Sequence, residues 1–246
     1  MEVMLEPQSI EIYDTVETTM KLIPPELPGV VIALEQTSGR GRSGRWVSPR
    51  GGAWLTFVAK HNPPPLWLPV AVGGCVAEEI ERLLPKSVRR VIRVKWPNDL
   101  YIGRGKLGGI LITYRSGLLR IGVGINVYNP VPPGGTKLAS YGFRGGLGDV
   151  YVSVIRGIGR ALADPEDCLW EASRRDLLRG CNVHVMTEKG DIRGVSLGLT
   201  PSGALLVRTE NNAIIRIECC GISTWTCNDM DKRARGPISI TPIPLI

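Results

Sequence analysis

Apolar residues recur along the chain with two spacings, one typical of strands and one typical of helices. Short continuous or alternating apolar runs predict strands at residues 30–34, 54–59, 92–96, 100–102, 107–114 and 118–127. The last four runs follow one another without a helical pattern between them, so the sheet is predicted to be largely antiparallel. In the run at 92–96, Arg93 and Lys95 alternate with apolar residues and share the polar face.

Helical spacing of apolar residues predicts three helices packed on this sheet. The first covers residues 68–83 and ends before a proline. The second is predicted from an apolar stripe that consists of Val152, Ile155, Ile158 and Leu162. The third begins with Asp164 as its N-cap and Pro165 in its first turn, and Gly180 is predicted to close it in a left-handed conformation.

The pattern changes after residue 180. Four short strands separated by polar turns follow, at 183–186, 192–199, 204–209 and 213–218, and they predict a small barrel. We therefore expect an α+β fold with a large N-terminal domain at residues 1–180, a small C-terminal domain at 181–227 and an extended tail at 228–246.

Composition and charge exclude several classes of protein. The net charge is +7 and the calculated pI is about 9.3, but the basic residues are spread along the chain and no recognition helix stands out. We therefore expect no nucleic-acid partner. No apolar run is long enough to cross a membrane, and the acidic N-terminus is unlike a signal peptide, so a cytoplasmic location is expected.

The six cysteines lack the spacing of a metal site, and only two histidines are present. Buried thiols are the preferred interpretation, with a disulfide left open for a thermophilic protein. No metal site formed by protein ligands is expected.

Residues 39–46 read Gly-Arg-Gly-Arg-Ser-Gly-Arg-Trp and predict a loop that orders around an anion. The glycines also fit the dinucleotide-binding fingerprint. However, that fingerprint must open a helix, and the sequence after residue 46 is not helical, so we reject this interpretation. No phosphate-binding Walker pattern is present.

A second group of polar residues follows the strand at 92–96. Lys95 lies at the strand end, and the turn Pro97-Asn98-Asp99 comes next, with Asp99 expected to form the turn. A rigidly held lysine together with a loop of arginines is what acid activation by a nucleoside triphosphate needs. The acid's carboxylate and the α-phosphate repel each other until cations bridge them.

Four motifs in order resemble those of the biotin protein ligases. They are Gly39-Arg40-Gly41-Arg42-x-Gly44-Arg45-Trp46, Lys95-Trp96-Pro97-Asn98-Asp99, Lys106-Leu107-Gly108-Gly109-Ile110-Leu111 and Gly122-Val123-Gly124-Ile125-Asn126. The likeness runs from about residue 13 to about residue 218. It implies a mixed, largely antiparallel class II synthetase-like sheet packed with helices, followed by an SH3-like barrel. No helix-turn-helix precedes it, so the short form without a DNA-binding domain is expected.

The resemblance implies a ligase that uses ATP and Mg²⁺. Biotin would be activated to biotinyl-5′-AMP and transferred to a lysine of a biotin carboxyl carrier protein. The implied catalytic residues are Lys95 and Arg42. The implied biotin-binding residues are Thr18, Thr19, Gln36, Gly39, Arg40, Gly41, Arg42, Lys95, Gly108, Gly109 and Gly122. The implied ATP-binding residues are Arg42, Arg45, Trp46, Asn98, Lys106 and Asn126.

Two positions depart from the family pattern. Met20 stands where the family has an asparagine. Arg45 and Trp46 are adjacent here, so the loop is one residue shorter at this point than in the common form. Three alternatives remain at this point: a lipoate ligase of the same fold, a basic nucleic-acid-binding module and a biotin-binding protein without catalysis. The sequence leaves the oligomeric state open, a homodimer included.

Overall fold

The computed structural model describes residues 6–42, 44–88, 90–187 and 190–227. The predicted extended tail at 228–246 lies outside these residues. Within the described part, two β-sheets are accompanied by three α-helices. The strands are β1 (Ser9–Val16), β2 (Gly29–Gly41), β3 (Gly44–Ser48), β4 (Ala53–Lys60), β5 (Ile92–Lys95), β6 (Asp99–Ile102), β7 (Gly105–Arg115), β8 (Leu118–Ile125), β9 (Asn182–Thr187), β10 (Gly190–Leu199), β11 (Leu205–Arg208), β12 (Ile214–Ile217) and β13 (Gly221–Thr226). The helices are α1 (Leu68–Glu81), α2 (Leu147–Ala163) and α3 (Pro165–Arg174).

The first sheet has eight strands, in the order β1-β2-β4-β8-β7-β6-β5, with β3 paired to β2. Only the pair β1–β2 is parallel, and the other pairs in the sheet are antiparallel. The prediction of a mixed, largely antiparallel sheet is confirmed. The central strand β4 is buried along its whole length except at Lys60, because it has a neighbouring strand on each side and α2 packs against it.

Helix α1 packs between the sheet and the other two helices. Two glycines permit this close approach. A Cβ on Gly74 would lie 2.1 Å from the carbonyl oxygen of Cys168 in α3, and a Cβ on Gly157 of α2 would lie 2.8 Å from the backbone of Val76. Larger side chains at either position would push the helices apart.

The predicted faces and ends of the helices need two corrections. In α2, Val152 of the predicted stripe is 47% exposed, and the buried face instead follows Val150, Val154 and Ile158. These three are spaced by four residues and share one side of the helix, whereas Val152 points away from it. Helix α3 is capped by Asp164 as predicted, but it ends at Arg174, well before the left-handed Gly180.

The second sheet has five strands, in the order β12-β11-β10-β9-β13, and its pairs are antiparallel. The four predicted strands are present. The fifth, β13, was not predicted, because its six residues carry only two large apolar side chains, Ile222 and Trp225, and these do not alternate. The strand order ends at β12 and β13, so the sheet is SH3-like but does not close into a barrel.

The segment that leads out of α3 joins the two sheets. The amide of Val94 in β5 donates to the carbonyl of Arg175, and the amide of Leu177 donates back to Val94. Arg175 also forms a buried ion pair with Glu81 at 2.6 Å. In addition, the indole of Trp96 donates to the carbonyl of Gly203, in a turn of the second sheet, at 3.1 Å. The second sheet is therefore fixed directly behind the strand that carries Lys95.

Four of the cysteines are not thiols, and the preferred interpretation is wrong for them. Cys75 of α1 is bonded to Cys168 of α3, and Cys181 is bonded to Cys227. The paired residues are 93 and 46 positions apart in sequence. Only the packing of α1 on α3 and the return of β13 to the start of β9 bring them together. None of the described helices has the length and apolar character needed to cross a membrane.

Candidate active site

A cavity of about 310 Å³ opens on the first sheet. Its walls come from the β2–β3 hairpin, the turn between β5 and β6, the strands β7 and β8, and one residue of the second sheet. The residues that line it are Thr18, Thr19, Met20, Gln36, Arg40, Gly41, Arg42, Gly44, Arg45, Trp46, Leu55, Lys95, Trp96, Pro97, Asn98, Asp99, Lys106, Gly109, Ile110, Leu111, Gly122, Val123, Gly124 and Ile222.

One end of the cavity is uncharged and hydrogen-bonded. The side-chain oxygen of Gln36 accepts from the amide of Thr19 at 2.8 Å, and the Gln36 amide nitrogen donates to the hydroxyl of Ser48 at 2.9 Å. The hydroxyl of Thr56 donates to that of Thr19 at 2.8 Å. Thr18 and Thr19 are both almost fully buried. These polar groups are uncharged and each has a fixed partner, so this end offers a preorganised, neutral polar surface rather than a charged one.

The segment at 39–46 forms a β-hairpin, not the irregular loop that we expected. Gly39 pairs with Trp46, Arg40 with Arg45 and Gly41 with Gly44. Main-chain pairing explains the difference, because β2 extends far beyond the predicted strand and gives β3 a partner. The arginine side chains are also held: Arg45 donates to the carbonyl of Thr37 at 2.7 Å, and Arg42 donates to the carbonyl of Cys220 at 2.6 Å.

Lys95 ends β5 and pairs across the strands with Asp99 of β6. Burial lowers the pKa of its ammonium group. The nearby Asp99 carboxylate acts in the opposite direction, while the cations of Lys106 and Arg42 lower the pKa further. The ammonium lies 5.8 Å from the centre of the Tyr101 ring. A partly buried cation surrounded by other cations is poised to gain an anionic ligand.

The turn after Lys95 is fixed by polar contacts to β7. Asn98 donates through its side-chain amide to the carbonyl of Ile110 at 2.9 Å. Asp99, expected to act as a turn residue, also forms an ion pair with Lys106 at 2.7 Å. Asp99 is the acidic residue among the described residues that line the cavity, against the cations of Arg40, Arg42, Arg45, Lys95 and Lys106. The cavity is therefore suited to a ligand with several negative charges.

Glycines on β7 and β8 form the floor of the cavity. Gly109 pairs with Gly124, and other side chains lie directly above two of these floor glycines. A Cβ on Gly122 would lie 2.5 Å from the sulfur of Met20, and a Cβ on Gly124 would lie 2.8 Å from the indole nitrogen of Trp46. That nitrogen is buried and has no hydrogen-bond partner among the described residues. It is a donor available to a bound molecule.

Residues 7–127 match the biotin/lipoate A/B protein ligase family. The chain is 31% identical to the bifunctional ligase/repressor BirA of Escherichia coli over 208 residues, which are 75% of this chain and 62% of BirA. It is 34% identical over 127 residues to the biotin–[acetyl-CoA-carboxylase] ligase of Mycobacterium tuberculosis, covering 48% of this chain and 47% of that one.

Among solved structures, the biotin protein ligase from Aquifex aeolicus in complex with biotin and ATP superposes with a TM-score of 0.77. The match is 26% identical and covers 88% of this chain and 98% of that one. Residues 7–127 therefore carry a biotin/lipoate A/B protein ligase domain, and the chain resembles the biotin protein ligases in sequence and fold. It spans 62% of the length of BirA and less of several other curated biotin protein ligases that it matches.

Most of the residues that the biotin protein ligase resemblance implied are brought together around one cavity. Those that line it are Thr18, Thr19, Gln36, Arg40, Gly41, Arg42, Arg45, Trp46, Lys95, Asn98, Lys106, Gly109 and Gly122. They come from β2, β3, β5 and its following turn, β7, β8 and the short 3₁₀ turn after β1. Because these elements are distant in sequence, their convergence follows only from the sheet order.

Three of the implied residues do not line the cavity. A Cβ on Gly39 would meet the hydroxyl of Ser48 and the carbonyl of Trp46, each at 2.5 Å. Gly108 alternates to the opposite face from Gly109, and its Cβ would lie 2.4 Å from the carbonyl of Gly124. Both glycines are required by close backbone packing. Asn126 is buried and donates to the carbonyl of Lys106 at 3.4 Å.

Several lining residues were missed by the motifs. Ile110, Leu111 and Val123 fall inside or beside the motifs but looked like ordinary strand residues. Ile222 lies on the unpredicted β13, and no local signal in the sequence could have placed it at the cavity. Met20 was noted only as a departure from the family, whereas in the structure its side chain covers Gly122.

Proposed function

We propose that this protein activates biotin with ATP to biotinyl-5′-AMP and transfers the biotinyl group to a lysine of a carrier protein. The observation that carries the proposal is the gathering of Lys95 and the hairpin arginines in one cavity, beside the neutral polar end formed by Thr19 and Gln36. One solved relative of the same fold, the Aquifex aeolicus ligase, contains biotin and ATP together.

In the first step, an oxygen of the biotin carboxylate attacks the α-phosphorus of ATP, and the bond to the β-phosphate oxygen breaks to release pyrophosphate. Both reactants are anions, so cations must hold them in contact. Lys95 and Arg42 are assigned this role, because both line the cavity and Lys95 is held at a strand end. Charge that develops on the phosphate oxygens is stabilised by the same groups.

In the second step, the amine of the carrier lysine attacks the acyl carbon, and AMP leaves. Biotinyl-5′-AMP is a mixed anhydride of a carboxylic and a phosphoric acid, and water hydrolyses such anhydrides. The β2–β3 hairpin, which carries Arg42 and Trp46, would cover it.

The walls of the cavity divide between the two substrates. Thr18, Thr19 and Gln36 would face the ureido ring of biotin, and Gly109 and Gly122 let the ligand lie on the sheet. The nucleotide side would use Arg45, Trp46, Asn98 and Lys106, which are implied by the family likeness and line the same cavity.

Magnesium is expected to arrive with ATP. This ion is usually held by substrate phosphates, water and one or two carboxylates. Asp99, the carboxylate among the described lining residues, is already paired with Lys106, so the site fits an ion held chiefly by the nucleotide. When bound, the ion would neutralise phosphate charge.

The partner that accepts biotin is proposed to be a biotin carboxyl carrier protein or a carrier domain of a biotin-dependent carboxylase. The name of the Mycobacterium tuberculosis relative refers to an acetyl-CoA carboxylase. Nucleic acid is not part of the proposal, and a homodimer is left to measurement.

Pyrophosphate release tests the proposed function. The protein is incubated with MgATP and either biotin, lipoate or no acid. We expect release with biotin and little above background with lipoate. Transfer is then measured by adding a biotin carboxyl carrier domain and following streptavidin binding. Pyrophosphate release with lipoate but not with biotin would identify lipoate as the substrate. No release with either acid would contradict the proposal.

A further inference from the structure

We propose that Tyr101 is a positioning residue for Lys95, and that Trp225 of the second sheet holds the Tyr101 ring in place. This inference rests on the proposed function for its kinetic readout. It assigns a task in the activation step to two residues outside the motif set and outside the cavity lining. One of them belongs to the small C-terminal sheet.

Strand pairing places Tyr101 beside Lys95. Lys95 pairs with Asp99, and Arg93 pairs with Tyr101, so Tyr101 is the diagonal neighbour of Lys95 on the same face of β5 and β6. The ammonium nitrogen of Lys95 lies 5.8 Å from the centre of the Tyr101 ring. This distance is within the range at which an aromatic face attracts a cation.

The surroundings explain why a ring suits this position. Asp99 attracts the Lys95 ammonium but is itself engaged by Lys106 at 2.7 Å, while Lys106 and Arg42 repel it. A second carboxylate would occupy the N–H donors of Lys95 and cancel its charge. An aromatic face attracts the ammonium without accepting its N–H donors in the way that an oxygen does. The donors stay available for the biotin carboxylate and the α-phosphate.

The Tyr101 ring has a support of its own. Trp225 meets it edge to face, with ring centres 6.1 Å apart and planes at 89°. Trp225 lies on β13 and pairs with Val183 of β9. Burial, followed by the nearby Asp99 charge, raises the pKa of the Tyr101 hydroxyl to about 12. The ring therefore stays neutral over the pH range of an assay.

The test measures the activation step alone, as pyrophosphate release with biotin and MgATP from pH 7 to 10. Three variants of the full chain are compared with the wild type: Tyr101→Leu, Tyr101→Phe and Trp225→Leu. We expect Tyr101→Leu to lower kcat about five- to tenfold, and Tyr101→Phe to stay within about twofold because it keeps the aromatic face. Trp225→Leu should fall between them.

The pH profile separates positioning from a general structural defect. Lys95 acts as an ammonium, so the rate falls as pH rises through its pKa. Loss of the ring removes a favourable interaction of the charged form, and the high-pH limb of Tyr101→Leu should move down by about 0.5–1 pH unit. The other charged groups that face Lys95, namely Asp99, Lys106 and Arg42, are unchanged in every variant.

Three results would overturn the inference: wild-type kinetics in Tyr101→Leu, equal losses in Tyr101→Leu and Tyr101→Phe, or a loss that is uniform across pH. A second measurement does not depend on turnover, so it tests the inference even if the proposed function is wrong. The Lys95 ammonium is titrated by NMR in lysine-labelled protein, with its signal assigned by its absence in Lys95→Met. A lower Lys95 pKa in folded Tyr101→Leu supports the inference even if the wild type activates neither acid, and an unchanged pKa refutes it. If Tyr101→Leu does not fold, the same titration is made on the two single variants Tyr101→Phe and Trp225→Leu. A Lys95 pKa that falls in Trp225→Leu but not in Tyr101→Phe supports the inference, and an unchanged pKa in both refutes it.

Discussion

Replacing Lys95 with methionine removes the cation at the end of β5 and keeps most of the volume of the side chain. The structure predicts opposite consequences for catalysis and for stability. The ammonium lines the cavity and, in the proposed reaction, lies between two anionic reactants. In the folded protein it is also partly buried among the cations of Lys106 and Arg42.

The loss in rate follows from Coulomb's law. A unit charge about 4 Å from a developing charge contributes about 4 kcal/mol at an effective dielectric constant of about 20. This corresponds to about a thousandfold in rate, close to the effect of removing one donor from an oxyanion site. We therefore expect Lys95→Met to lower the rate of biotin-dependent pyrophosphate release by about 100- to 1000-fold.

Stability should not fall with activity. The folded-state pKa of Lys95 lies below its unfolded value, so the unfolded state holds the proton more tightly. The charge therefore opposes folding at neutral pH, and this penalty is relieved as pH rises from the folded-state pKa to the higher pKa of the unfolded state. Lys95→Met removes the penalty, so its melting temperature should equal or slightly exceed that of the wild type.

Calorimetry and the pyrophosphate assay are run on the same preparations. Lys60→Met is the matched control, because Lys60 is an exposed lysine at the end of β4 in the same sheet. The control should keep wild-type activity and stability. Activity above about a tenth of wild type in Lys95→Met would refute the electrostatic reasoning, and a parallel drop in melting temperature would assign Lys95 a structural role instead.

Three further predictions follow from other parts of the structure. Biotin with ATP should slow proteolysis within residues 39–46, seen as fragment appearance on gels, and unchanged cleavage would contradict a hairpin that covers the ligand. Gly122→Val should displace Met20 and raise the KM for biotin at least about tenfold with a smaller change in kcat, whereas an unchanged KM would place the ligand elsewhere. Replacing Cys181 and Cys227 by serine should lower the stability of the second sheet by about 4 kcal/mol, measured by denaturant unfolding, and insensitivity to reductant in the wild type would refute the bridge.

The parts of the fold that the sequence predicted well are those with a strong local signal. Helix α1 carries a regular apolar spacing, and Asp164 with Pro165 marks the start of α3. The alternation around Lys95 predicted both its strand and its polar face, because a half-buried strand must alternate. For the site, the motif residues implied by the family likeness mostly line one cavity, although their individual roles stay predictions.

The parts that sequence reasoning missed depend on contacts between distant residues. Ile222 reaches the cavity and Trp225 reaches Tyr101 from a strand that carries no clear periodic pattern. Gly108 and Gly109 are adjacent in one motif, yet only Gly109 faces the cavity, because successive strand residues point to opposite faces. The extension of β2 into a hairpin also depends on pairing, since a run of glycine and arginine has no intrinsic preference for a strand.

The disulfide bond between Cys181 and Cys227 determines how proteolysis can fragment the protein. The two residues enclose β9 to β13, so all five strands of the second sheet lie on one closed covalent ring. A protease that cuts once inside this ring opens it but releases no fragment, and β13 stays attached to the rest of the chain. A cut of this kind changes nothing in the mass of the intact protein beyond one water. Separation of the pieces, and with it removal of Trp225 from Tyr101, requires a reductant as well as the cut.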